Sequence, residues 1–111
     1  IVLAAQLRVN AAAQAGMSGM EVDSVAREYI TEHGYGDAFG HSNGHGIGLE
    51  IHEGPNTSQK AGKVLVPGNV ITNEPGIYLA GLGGVRIEDD LVIRANGNEI
   101  LTHSPKELII L

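Results

Sequence analysis

The sequence predicts an α+β domain in which two helices pack on an antiparallel sheet. Residues 1–15 contain no glycine or proline, and a second helical pattern follows up to Gly34. Beyond that point glycine becomes frequent, and short apolar runs alternate with turn residues, as is typical of strands. Helices that come before all the strands favour segregated layers over an alternating parallel fold.

The first helix is expected over residues 1–15, with Gly16 standing where a glycine commonly ends a helix. Ser18 and Glu21 have the spacing of a capping box, which marks the start of a second helix. Gly34 is expected to end it. Five apolar residues in between have helical spacing and predict one buried stripe, namely Val22, Val25, Ala26, Tyr29 and Ile30.

The strands are expected in the second half of the chain. Residues 63–72 predict two short extended pieces about a turn at Pro67 and Gly68. Residues 95–99 carry the Asn and Gly typical of a hairpin turn. Further strands are expected at residues 77–79, 85–94 and 100–102.

The composition bounds the kind of protein. A chain of 111 residues with 42% hydrophobic residues and few aromatics predicts at most one domain with an aliphatic core. A formal net charge of -6 argues against nucleic-acid binding and favours small molecules or peptides as partners. The sequence has no cysteine, which suits a reducing cytoplasm, and no apolar run of membrane-spanning length. Because Ile1 opens in a helical pattern without an initiator methionine, the chain is expected to be a piece of a longer protein.

Residues 40–54 hold most of the groups that can bind a metal or move a proton. Three of the five histidines lie there among glycines, namely His41, His45 and His52. The three imidazoles can converge only if the glycines bend the extended segment. The alternative is a glycine-rich loop with unrelated surface histidines.

Two later stretches add carboxylates to this set. Glu74 immediately precedes a Pro-Gly turn, so that it can project from the end of a strand. Strand alternation places Glu88 on one face with Arg86, a fixed cation expected to hold it ionised. Ordinary surface exposure remains the alternative for both glutamates, and it suffices to explain Asp89 and Asp90. Imidazole and carboxylates without thiolate suit Mn, Co, Zn or Fe.

Three motifs resemble the Xaa-Pro peptidases, the prolidases and aminopeptidases P of the pita-bread metallopeptidase superfamily. They are His41-x3-His45-Gly-Ile-Gly-Leu-x2-His52-Glu-Gly-Pro, Asn-Glu74-Pro-Gly-Ile-Tyr78 and Gly-Val-Arg86-Ile-Glu88-Asp. The resemblance covers essentially the whole chain. Methionine aminopeptidases share the first motif in part, but they generally lack a histidine at the place of His41 and the Glu-Pro-Gly-Ile-Tyr element. They remain an alternative, as does a non-catalytic module of the same fold that binds peptides or proteins.

The resemblance implies a site with two divalent metal ions, manganese foremost and Co, Zn or Fe as alternatives. His45, Glu74 and Glu88 would be metal ligands, with Glu88 bridging the two ions. Glu74 would also act as the base for the attacking water. The substrate would be a dipeptide or a peptide N-terminus cleaved at the bond before proline.

The remaining roles concern the substrate and the carboxylates. His52 would stabilise the developing oxyanion, and His41 would contact the substrate near its proline. Arg86 would orient the ligand carboxylates. Tyr78 is left open between packing and substrate contact.

The family's site also needs two aspartates from strands that precede the first helix, and this chain begins after them. Residues 1–111 are therefore expected to be the C-terminal part of a catalytic domain, half of a pita-bread fold with a curved sheet. The metal site is then incomplete and the chain inactive alone. A homodimer in the cytoplasm is expected, while the metal's identity and the choice between dipeptidase and aminopeptidase stay open.

Overall fold

A computed structural model describes residues 1–111 and contains two α-helices followed by seven strands. The helices are α1 (Val2–Ala12) and α2 (Gly19–Glu32), and a short 3-10 turn follows at Gly36–Ala38. The strands are β1 (Gly44–Gly46), β2 (Glu53–Thr57), β3 (Val70–Asn73), β4 (Gly76–Leu79), β5 (Gly83–Arg86), β6 (Asp89–Arg94) and β7 (Gly97–Ile100).

Helix α1 ends three residues earlier than the sequence predicts. Ala13 is already extended, with φ -62° and ψ 125°. The amide of Ala15 donates to the Arg94 carbonyl and that of Gly16 to the Leu65 carbonyl, both at 3.0 Å. Backbone hydrogen bonds to distant segments therefore replace the last helical turn. Gly16, with φ +92°, lies in the turn between the two helices.

Both predicted ends of helix α2 are confirmed. The Ser18 hydroxyl accepts from the Glu21 amide at 3.1 Å, and the Glu21 carboxylate accepts from the Ser18 amide at 2.7 Å. At the other end Gly34 has φ +87°, and the amide of Tyr35 donates to the Ile30 carbonyl at 3.1 Å. This is the Schellman ending that a glycine after the last helical residue permits.

Five strands form one antiparallel sheet in the order β2-β1-β3-β6-β7, and β4 pairs with β5 in a separate ribbon. The hairpin predicted at residues 95–99 is confirmed, since Arg94 pairs with Gly97 across it. The first extended piece predicted at residues 63–66 joins neither sheet and pairs only through an isolated antiparallel bridge between Val64 and Ser18. Its carbonyl and amide groups bond the start of α2 instead, as in the 3.0 Å bond from the Gly19 amide to the Lys63 carbonyl.

The single strand predicted at residues 85–94 is wrong, because the chain crosses from the β4–β5 ribbon into the large sheet between Arg86 and Asp89. The chain of β3 and β4 makes the same step at Glu74 and Pro75. Proline has no amide proton to donate to a ladder. The β3–β6 and β4–β5 hydrogen-bond ladders are therefore both interrupted here, and Glu88 lies in the gap between them.

The core lies between the two helices and the inner face of the large sheet. It is aliphatic except for one phenylalanine, as the composition predicts. Its members are Val2, Ala5, Val9, Ala13, Val22, Ala26, Ile30, Phe39, Leu65, Ile71, Ile77, Leu91 and Ile93. The predicted helical stripe is confirmed, with three members fully buried and Val25 and Tyr29 packed at the core's edge. No helix combines the length and apolarity needed to cross a bilayer.

Candidate metal centre

The three histidines of the glycine-rich stretch line one cavity of about 470 Å³. Strand β1 ends at Gly46, the chain turns back, and β2 pairs antiparallel with β1. The bend that the sequence requires for convergence is therefore present. The complete lining is His41, Ser42, Gly44, His45, His52, Asn56, Glu74 and Arg86.

Glycines on either side of His45 allow β1 to lie unusually close to its neighbours. A Cβ on Gly44 would lie 1.9 Å from the carbonyl oxygen of Thr72, and a Cβ on Gly46 would lie 2.3 Å from that of Gly54. Both distances are shorter than any real contact of a side chain. The glycine pattern thus sets the position of the His45 backbone between β2 and β3.

The sheet register places the candidate ligands on one face. Gly46 pairs with Ile71, so His45 lies opposite Thr72, and Glu74 follows two residues later on the same face. Asn73 pairs with Asp89 and Gly76 with Arg86. Both ladders have the same register, so Glu74 lies opposite Glu88.

His45 faces Glu74 directly. Its Nδ1 lies 2.8 Å from the Gly46 carbonyl oxygen, which can only accept, so Nδ1 carries a proton. Its Nε2 lies 3.2 Å from Oε2 of Glu74. Two hydrogen-bond acceptors this close require a proton or a cation between them. A divalent metal ion suits this pair, because both imidazole nitrogen and carboxylate oxygen are common metal ligands.

Glu88 has an environment that disfavours its charge. Partial burial is the largest cause of its raised pKa, and the negative charges of Glu74 and Asp90 add to it. The positive charge of Arg86 opposes this shift without overcoming it. Arg86 thus favours the ionised form of Glu88, as expected, but burial and the charges of Glu74 and Asp90 outweigh it, and the net shift of the Glu88 pKa is upward.

The structure contains no group of three or more His, Asp or Glu side chains close enough to hold a metal ion. His45 and Glu74 fit one in chemistry and geometry, and Glu88 stands opposite Glu74 with its charge disfavoured. These residues are a partial ligand set.

The other two histidines lie on either side of His45. The ring of His52 is 4.3 Å from that of His45, centre to centre, and its side chain is open to the cavity. His41 Nε2 lies 2.7 Å from the Tyr78 hydroxyl. Tyr78 was left open by the sequence, although its even spacing from Glu74 along an extended segment places it on the same side.

Asp89 was expected at the surface and is instead 3% exposed. Its carboxylate accepts hydrogen bonds from Gln6, Asn10 and Thr102, and Lys106 Nζ lies 2.8 Å away. Burial opposes the charge, but these donors together lower the pKa of Asp89. The network ties α1 and the C-terminal segment to the residue next to Glu88. Strand alternation could not reveal it, because it depends on a break in the strand.

Arg27 and Asp23, which the sequence analysis did not single out, hold the loop that carries His41. Arg27 donates to the carbonyl oxygens of Phe39 at 2.8 Å and His41 at 2.7 Å. It is paired with Asp23, 2.6 Å away and buried, which also accepts from the Asn43 amide. Their spacing of four residues on a helix was the available signal.

The comparisons agree with this geometry. The model of metallopeptidase family M24 matches residues 1–95. The Xaa-Pro dipeptidase of Pyrococcus furiosus is 58% identical over 109 residues, which are 98% of this chain and 31% of that protein. The chain thus spans about a third of the length of this curated relative.

Solved structures extend the same likeness to the fold. An Xaa-Pro dipeptidase from Bacillus anthracis superposes with a TM-score of 0.98 at 59% identity, over 99% of this chain and 31% of that one. An X-Pro aminopeptidase from Thermotoga maritima gives 0.95 at 53% identity, over 99% and 31%. The predicted α+β class and the expected resemblance are both confirmed. This chain belongs to metallopeptidase family M24.

Proposed function

We propose that this chain supplies part of the active site of a metal-dependent peptidase that hydrolyses the bond before proline. The observation that carries the proposal is the His45–Glu74 pair, with Nε2 and Oε2 3.2 Å apart, in a cavity lined by two further histidines. The relatives named above, an Xaa-Pro dipeptidase and an X-Pro aminopeptidase among them, support the substrate class.

His45, Glu74 and Glu88 are the proposed ligands of two divalent ions, with manganese as the first candidate. When bound, such ions lower the pKa of water and polarise a carbonyl group. The disfavoured charge of Glu88 supports a place between two cations, since the repulsion from Glu74 disappears once cations lie there.

The protein side chains would then position the substrate and move protons. Glu74 would take the proton of the attacking water, a role supported by its position in the lining of the cavity. The open imidazole of His52 can donate to the oxygen that gains negative charge. His41 and Arg86 line the same cavity, where His41 can contact the substrate near its proline. About 470 Å³ is room for a dipeptide.

We further propose that the chain by itself does not turn over substrate. Three ligands that form no closed group would hold metal ions loosely and misplace the water. The complete site then needs donors from outside residues 1–111. We also propose that the protein acts in the cytoplasm as a homodimer, without nucleic-acid or membrane partners. Its net charge of -6, its lack of cysteine and exposed apolar side chains such as Leu82 support this placement.

A chimeric enzyme tests the proposal. The 109 matching residues of this chain would replace their counterparts in the Pyrococcus furiosus Xaa-Pro dipeptidase. The product would be assayed with manganese on Leu-Pro, Leu-Pro-Gly and Met-Ala-Ser. Hydrolysis of the first or second peptide supports Xaa-Pro specificity. Selective hydrolysis of Met-Ala-Ser would favour the methionine aminopeptidase alternative, and a folded chimera without activity would favour a binding module.

Matched variants assign the roles within the chimera. Glu74→Ala and His45→Ala are each expected to reduce kcat/KM by about 10³-fold or more. Glu32→Ala, at the exposed end of α2, removes a carboxylate far from the cavity and should leave kcat/KM unchanged. Turnover of Leu-Pro by the 111-residue chain alone with manganese would contradict the incomplete site.

A further inference from the structure

We propose that Tyr78 is a positioning residue of this site, whose hydroxyl donates to Nε2 of His41 and, together with the Ser42 carbonyl oxygen, holds His41 in one tautomer. The inference rests on the proposed function only for its consequence, namely that His41 meets the substrate. Its physical basis is the set of contacts around the hydroxyl group.

The Tyr78 ring packs against two glycines. A Cβ on Gly76 would lie 2.5 Å from the Tyr78 hydroxyl, and a Cβ on Gly84 would lie 2.5 Å from its Cδ1. Gly84 pairs with Tyr78 and Gly76 pairs with Arg86. The ring therefore lies flat across the β4–β5 ribbon, with its hydroxyl carried toward Arg86. Any side chain at either glycine would displace it.

The hydrogen bonds around Tyr78 have only one consistent direction. Nδ1 of His41 lies 2.8 Å from the Ser42 carbonyl oxygen, which can only accept, so Nδ1 carries the proton. A neutral His41 then has a lone pair on Nε2, 2.7 Å from the Tyr78 hydroxyl, which must donate to it.

His41 is also held between two aromatic rings. The Phe39 ring is 5.2 Å away in an edge arrangement, and the Tyr78 ring is 5.3 Å away. Packing limits where the imidazole lies, while the Ser42 carbonyl oxygen and the Tyr78 hydroxyl together select which nitrogen accepts. Free histidine has no such restriction, since either nitrogen can carry the proton. The hydroxyl thus stabilises the face that His41 presents in the cavity, in addition to the bond at Nδ1.

Nitrogen NMR of the labelled, metal-free 111-residue chain tests this directly. In the unmodified chain we expect His41 as a single Nδ1–H tautomer. Tyr78→Phe keeps the ring and removes the donor, so the tautomer ratio should shift toward Nε2–H by about fivefold, the ratio that corresponds to one neutral hydrogen bond. Tyr35→Phe removes a hydroxyl outside the cavity and should leave the His41 signals unchanged.

Gly84→Ala is the second variant. It keeps the hydroxyl but displaces the ring, and it should shift the His41 tautomer in the same direction as Tyr78→Phe. Unchanged His41 nitrogen signals in Tyr78→Phe would overturn the proposal and make Tyr78 a packing residue.

The chimeric enzyme gives a reading that packing alone would not produce. Tyr78→Phe is expected to raise KM for the Xaa-Pro peptide about tenfold with kcat less affected. The reason is that the substitution loosens His41, which contacts the bound substrate. A fall in kcat with an unchanged KM would contradict positioning of a substrate contact. The tautomer measurement needs neither metal nor substrate. If the chimera hydrolyses no Xaa-Pro peptide while the tautomer shifts, the positioning of His41 stands and the proposed peptidase function falls.

Discussion

The backbone amide of Glu74 donates a 2.8 Å hydrogen bond to the carbonyl oxygen of Asn43. This bond continues the pairing of β1 with β3 beyond the ends of both strands, in the register set by Gly46 and Ile71. It fixes the distance between the backbone that carries His45 and the backbone that carries Glu74. The 3.2 Å approach of their side chains follows from this close spacing.

Gly44→Ala is expected to disrupt that spacing. The new methyl group would lie 1.9 Å from the Thr72 carbonyl oxygen, which is part of a strand and cannot move aside cheaply. We expect a loss of about 2–3 kcal/mol in the free energy of unfolding, measured with urea. Gly40→Ala is the matched control from the same stretch, because its Cβ would meet nothing within 4 Å. Its effect should stay within about 1 kcal/mol. Equal effects of the two substitutions would contradict the close approach.

Glu88→Gln is expected to stabilise the metal-free chain at pH 7. Because the pKa of Glu88 is raised on folding, the folded state binds its proton more tightly than the unfolded state does. Stability is therefore lost as pH rises from the ordinary pKa of glutamate, about 4.3, through the raised value. We expect a gain of up to about 1 kcal/mol at pH 7, since the group keeps contact with solvent.

Urea unfolding at pH 4 and pH 7 measures this effect, with the exposed Glu107→Gln as control. The free energies of unfolding of the unmodified chain and of Glu88→Gln should converge at pH 4, where the Glu88 carboxyl group is protonated. Added manganese should reverse their order at pH 7, because only the unmodified chain retains the third ligand. A Glu88→Gln chain that is less stable than the unmodified one at pH 7 without metal would argue against the repulsion.

Asp89→Asn is expected to have the opposite effect. The pKa of Asp89 is lowered on folding, so its contribution is present above the ordinary pKa of aspartate, about 3.9, and is lost as pH falls through the lowered value. Replacing the buried carboxylate leaves Lys106 without its partner. We expect a loss of about 2–3 kcal/mol at pH 7 and a smaller loss of stability on acidification. Asp37→Asn, on the exposed 3-10 turn, is the control. If the free energy of unfolding of Asp89→Asn fell on acidification as steeply as that of the unmodified chain, another group would be responsible for the fall.

Local patterns predicted much of the fold. The capping box of Ser18 and Glu21, the glycine after α2 and the hairpin at residues 95–99 depend on neighbours in sequence, and all three are present. The strand predicted at residues 85–94 is too long, because its break depends on Pro75, which lies between the two strands that face it. Pairing between distant segments decides such a feature, and alternation within one segment cannot show it.

The candidate site divides in the same way. The sequence made the convergence of His41, His45 and His52 depend on a bend at the glycines, and the structure supplies that bend. The environment of Glu88 was not predictable, because the sequence shows its neighbour Arg86 but not the carboxylate of Glu74 opposite it. Burial and facing charges are properties of the folded chain, and they changed the sign of the expected pKa shift.

Arg27→Lys is expected to free the loop that carries His41. Lysine can keep an ion pair with Asp23, but its single ammonium group cannot also reach the carbonyl oxygens of Phe39 and His41 as the guanidinium does. The amide proton of Asn43, which is bonded to Asp23, reports on the loop in hydrogen exchange. We expect its exchange to accelerate about tenfold or more, with a loss of about 1–3 kcal/mol in the free energy of unfolding. Arg8→Lys makes the same chemical change at an exposed residue that packs on the Tyr29 ring. It should leave Asn43 exchange unaltered. If Arg27→Lys also left it unaltered, Asp23 alone would hold the loop, and the guanidinium would have no part in placing His41.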